Sequence, residues 1–159
     1  MYNGGESFKI TKIDHMITTT FFLPVLIATL AGSILGGLWY SHILFKKPWM
    51  RGVGKTDADL IARKTEQSRV MFYTFFIVFA TSFGLATMLT LLNINTVLGA
   101  VQVALLISFS FIVTTRFFDL LYVSREPHWS KVPQQLFLVD AGYSICSLSV
   151  MSVILVLLR

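Results

Sequence analysis

Three stretches of this chain carry almost no charge, and they dictate what it can fold into. Met16 to Phe45 and Val70 to Thr115 contain no Asp, Glu, Lys or Arg, and Leu136 to Leu158 contains only Asp140. About 20 apolar residues of helix cross a bilayer core. The first and third stretches each supply one span. The second is about twice that length and is interrupted by Asn93-Ile94-Asn95, so it supplies two. In lipid the backbone must satisfy its own polar groups, which favours helices. The expected fold is all-α: an integral membrane four-helix transmembrane bundle with spans near 17–44, 70–92, 97–121 and 135–158. Residues 1–15 read as a polar N-terminal tail and 16–159 as one membrane domain. Charged residues make up 13% of the chain, against about 25% in a soluble domain.

The net charge of +5 does not point to nucleic acid, because the basic residues flank the spans. With four spans, the N-terminus, the Asn93 turn and the C-terminus share one side. Of the 13 Lys and Arg, only Lys9, Lys12 and Arg159 fall there, and the other ten fall on the opposite side. The positive-inside rule then places both termini outside and the loops 45–69 and 122–134 inside. Inside means the cytoplasm for a bacterial inner membrane, or the matrix side for an organellar inner membrane. The single cysteine, Cys146, lies within a span and allows no intrachain disulfide.

Small residues mark where helices can approach. Ala28, Gly32, Gly36 and then Tyr40 recur every four residues in span 1, and Ala80 and Gly84 repeat the spacing in span 2. Such stripes serve either a dimer seam or packing inside the bundle. Pro24 falls near the start of span 1, where its missing N–H is tolerated. In the first loop, Thr56-Asp57-Ala58-Asp59 resembles a capping box and predicts a short interfacial helix between spans 1 and 2. The nearby Gly52-Val53-Gly54-Lys55-Thr56 lacks the first glycine of a phosphate-binding loop, since Trp49 stands there, so no nucleotide is expected. The tight Asn93 turn makes spans 2 and 3 an antiparallel hairpin. On span 3, Ser108, Thr115 and Asp119 share one helical face. On span 4, Asp140, Ser144, Ser147 and Met151 do.

Asp140 is the residue that most needs an explanation. A carboxylate inside a span costs about 2.5–3.5 kcal/mol if central. Arg116, Asp119, Tyr40, His42 and Tyr143 fall at similar depth on the same side of the bilayer. They form either an inward-facing polar site for a small ligand, ion or proton, or a structural ion pair of Arg116 with Asp140 or Asp119. Trp39, Tyr40, Pro48 and Trp49 read as an interface belt, although the rings could also stack on a ligand. No second His stands at ligand spacing from His42, no nucleophile–base pattern is legible, and the reading is no metal, no cofactor and no catalytic residues.

Two segments also carry a resemblance. Gly36-Gly37-Leu38-Trp39-Tyr40-Ser41, followed by Leu44-Phe45-Lys46-Lys47-Pro48-Trp49-Met50, is one. Phe137-Leu138-Val139-Asp140-Ala141-Gly142-Tyr143, preceded by Leu120-Leu121-Tyr122, is the other. The chain resembles the small membrane proteins called domain of unknown function 1761, from about Leu23 to the C-terminus. The resemblance implies a four-span bundle and emphasis on Trp39, Tyr40, Pro48, Trp49, Asp140, Gly142 and Tyr143, with no activity to carry over. The polar tail departs from that pattern and suits attachment to a larger assembly. The expected role is a non-catalytic membrane subunit or scaffold, with the lipid bilayer and a homo-oligomer or larger complex as partners. The alternative is a transporter or channel for a small molecule, ion or proton, working as a homo-oligomer.

Overall fold

The computed structural model describes residues 4–62, 64–122 and 131–159. Its elements are α1 (Gly4–Trp39), α2 (Lys46–Val53), α3 (Asp57–Ala62), α4 (Lys64–Leu91), α5 (Val97–Ile107), a π-helical turn (Ser108–Val113), α6 (Thr114–Tyr122) and α7 (Lys131–Leu157). Four helical stretches are long and apolar enough to cross a membrane: Phe21–Trp39, Ser68–Leu91, Val97–Leu121 and Gln134–Leu157. Within these windows at most 39% is buried inside the protein, so most of each apolar helix faces outward. Phe72, Ile77, Leu98, Phe111 and Leu138 are all more than 60% exposed. That is a surface suited to lipid rather than water.

Three features of span 1 differ from expectation. Helix α1 runs 36 residues from Gly4, about 54 Å at 1.5 Å per residue, so residues 4–15 continue the span as helix rather than forming a separate tail. Pro24 therefore sits in the interior of α1, not near its start. The helix also ends at Trp39 instead of running to Leu44. Ser41 closes it by donating from Oγ to the Leu38 carbonyl at 2.6 Å, and the Phe45 N–H reaches the Trp39 carbonyl at 2.9 Å.

The chain then reverses into a helix that sequence patterning missed. Pro48 lies in the first turn of α2, where N–H groups have no helical acceptor anyway. Gly54 ends α2 at φ 66°, with its own N–H on the Arg51 carbonyl and that of Lys55 on the Met50 carbonyl. This is the left-handed glycine closure common at helix C-termini. The anticipated capping box opens α3: the Thr56 N–H donates to Asp59 Oδ2 at 2.8 Å and the Asp59 N–H to Thr56 Oγ1 at 3.3 Å. At the other end of the bundle, Asn93 adopts φ 53°, and Thr96 caps α5 by accepting from the Gly99 N–H.

Helix α7 is the centre of the bundle, packing against α1, α2, α4, α5, the π turn and α6. Helix α1 lies between α4 and α7. Helices α4 and α5 touch each other only sparsely, so spans 2 and 3 are joined by a tight turn without packing as a hairpin along their lengths. The core is built from small residues interleaved with larger ones: Ala28, Ala86, Ala100, Ala104, Ser82, Ser108 and Ser152 beside Leu89, Leu148, Met151 and Leu155. Close helix approach in a membrane favours such residues. Two buried hydroxyls share one carbonyl: Thr29 Oγ1 and Ser82 Oγ both donate to the Val25 carbonyl, the second bond tying α4 to α1.

Candidate functional site

The two segments that carry the resemblance are about 100 residues apart in sequence and meet in space. The small stripe of span 1 brings them together. A Cβ at Gly32 would lie 3.0 Å from Met151 Sδ, and one at Gly36 would lie 3.0 Å from the Tyr143 hydroxyl. With Ala28 fully buried, this stripe packs inside the bundle. A Cβ at Gly142 would lie 3.1 Å from the Trp39 ring, so each helix offers a glycine to an aromatic side chain of the other.

Three hydrogen bonds then cross between α1 and α7, or between the turn after α1 and α7. Trp39 Nε1 donates to the Val139 carbonyl at 3.0 Å, and the Tyr40 hydroxyl donates to Asp140 Oδ1 at 2.9 Å. The Tyr143 hydroxyl donates to the Gly32 carbonyl at 3.3 Å. The two carbonyls have a second lone pair available beyond the helical bond. Ring contacts consolidate the site: Tyr40 lies 5.4 Å from Tyr143 and 5.7 Å, edge to face, from Trp49, and Trp39 lies 4.7 Å from Phe45. Such pairs add about 0.5–1.5 kcal/mol each beyond burial. Trp39, Tyr40, Pro48 and Trp49 are all partly buried. The rings read as an interface belt therefore turn inward to join α1, α2 and α7, because α7 offers carbonyl and carboxylate acceptors at that depth.

The six-residue polar cluster does not assemble. Tyr40, Asp140 and Tyr143 come together. Arg116 pairs instead with Asp119, at 4.0 Å, with both side chains 53% exposed. His42 is exposed and lies 2.9 Å from Lys46 Nζ. Asp140 thus takes a phenol rather than Arg116 as its direct partner. The cause lies in span 3. The π turn at Ser108–Val113 inserts extra backbone and rotates the downstream turns of the span relative to a regular helix. Ser108 stays fully buried while Thr115 and Asp119 are exposed, so these three do not share a face. Span 4 is regular, and its stripe points inward, with Ser147 and Met151 buried and Asp140 and Ser144 partly so.

In span 2 the small stripe points away from the bundle. Ala80 and Gly84 are exposed, and a Cβ at Gly84 would meet nothing within 4 Å. The expected packing role of this pair is not met within the chain. A shallow notch of about 10 Å³ lies at the far end of the bundle, lined by Phe21, Pro24, Ala86, Leu89, Thr90, Leu155 and Arg159. It is remote from Asp140. Among the described residues no group of three or more His, Cys, Asp or Glu could hold a metal ion. Phe45 and the Val139 carbonyl were not singled out from sequence, although both lie in the two resembling segments: one is a loop phenylalanine, the other a backbone atom.

Four membrane-length helices closed by an aromatic and carboxylate lock define a small multi-pass membrane protein. A family profile described as "Protein of unknown function (DUF1761)" matches residues 23–156, and the chain belongs to that family. Comparison with curated proteins and with solved structures finds no significant match.

Proposed function

We propose that this protein is a non-catalytic subunit or scaffold of a membrane assembly, and that the outer face of span 2 is where it docks. The observation that carries this reading is the outward Ala80–Gly84 stripe. The same spacing in span 1 is filled by α7 and α4, and small residues at this spacing let another helix approach closely. The engagement of Tyr40, Trp39 and Tyr143 in holding helices together supports a structural role for the site. We place both termini outside and the loops 45–69 and 122–134 inside, on the basic-residue asymmetry.

One observation favours the transport reading instead. Among the described residues only one carboxylate oxygen of Asp140 is engaged, by Tyr40, and Ser144 and Ser147 continue the same face. Gentle-detergent extraction followed by mass spectrometry separates the two. Stoichiometric foreign subunits, or a homo-oligomer without flux, support the scaffold. A homo-oligomer whose flux is abolished by Asp140→Asn supports the transporter.

A further inference from the structure

We propose that α2 and the residues just beyond it form a surface for anionic phospholipid headgroups, on the leaflet that faces the 45–69 loop. The position of α2 is set by the fold. It begins seven residues after span 1 ends at Trp39, so it lies where headgroups lie. Its apolar side is held down: Met50 is buried, Gly52 abuts Leu136 of α7, and Trp49 packs edge to face on Tyr40. Its other side is basic. Lys47 and Arg51, one turn apart, are exposed, as is Lys55 just past the Gly54 closure.

Three nearby acids have partners of their own. Asp59 accepts from Thr56, Asp140 from Tyr40, and Asp119 faces Arg116. Among the described residues, Lys47, Arg51 and Lys55 have no ion-pair partner. Between Lys46 and Thr56 the sequence holds four cations and no Asp or Glu. Just before them Ile43 is 80% exposed and Leu44 47%, an apolar pair placed to dip below the headgroups while the long basic side chains reach phosphate. Juxtamembrane basic clusters of this size attract anionic lipid. Orientation alone requires only that the cations sit on this side. The grouping of Lys47, Arg51 and Lys55, exposed together at a docked helix, makes them a binding surface.

The test uses the full chain in a zwitterionic detergent with equal phosphatidylglycerol and phosphatidylcholine, read by native mass spectrometry. Wild-type protein should retain the anionic lipid with roughly tenfold or greater enrichment. The triple variant Lys47→Gln, Arg51→Gln, Lys55→Gln should fall to near parity. The charge-keeping double variant Lys47→Arg, Lys55→Arg should hold the enrichment, which separates charge from any folding defect. Parity in the wild type, or enrichment that survives the triple variant, would overturn the proposal.

Discussion

At the residue scale, the Tyr40–Asp140 bond is one of three hydrogen bonds that tie span 1 and the turn after it to span 4. Tyr40→Phe removes the donor and leaves a partly buried carboxylate without its partner. We expect it to lower stability by about 0.5–1.5 kcal/mol, measured by denaturant unfolding in micelles. A cycle with Asp140→Ala should show that the two losses do not add. Glycines make a sharper contrast. Gly142→Leu drives a side chain into the Trp39 ring and should cost about 1–3 kcal/mol. Gly37 has nothing within 4 Å, so Gly37→Ala should be neutral or stabilising by up to about 1 kcal/mol, in the same assay. The resemblance put emphasis on Trp39, Tyr40, Pro48, Trp49, Asp140, Gly142 and Tyr143, but not on how they engage. An aromatic residue at the end of a span reads the same whether it faces headgroups or a neighbouring helix. Only the partner's carbonyl and carboxylate decide between them.

At the scale of elements, the four spans were legible because charge-free length is a strong signal, and the Thr56 capping box was legible because it is a local motif. Helix α2 was not. Eight residues with two lysines and a proline are too few for an amphipathic pattern to stand out from a loop in sequence, and the helix stands by docking on α7. Its closest approach supplies the test: a Cβ at Gly52 would lie 2.7 Å from Leu136 Cβ, an atom fixed close to the backbone. Gly52→Ala should therefore loosen α2 and lower the melting temperature, with a cost of about 1–3 kcal/mol, whereas Gly→Ala in an unhindered helix would gain stability. The π turn in span 3 was equally hidden. Counting residues at a regular 3.6 per turn placed Ser108, Thr115 and Asp119 on one face, and one widened turn separated them. Of the two ion pairs open to Arg116, with Asp140 or with Asp119, the structure has the second.

At the scale of the whole molecule, the protein is a small bundle whose polar groups mostly serve its own helices and whose apolar surface faces outward. Topology is testable by single cysteines in a Cys146→Ser background. Lys55→Cys should be shielded from a membrane-impermeant maleimide applied from outside, and Asn95→Cys labelled. The reverse pattern would overturn the orientation. Sequence could not reveal which small-residue stripe is used internally, since both have the same spacing. The structure fills the stripe of span 1 and leaves that of span 2 open. The most direct measurement is the native mass of gently extracted wild-type protein beside Gly84→Leu. The wild-type complex should be larger than one chain, either with a second copy or with a foreign subunit, and the Gly84→Leu variant should fold but run as a single chain. A wild-type protein recovered as a single chain, or a Gly84→Leu complex indistinguishable from wild type, would contradict docking through span 2.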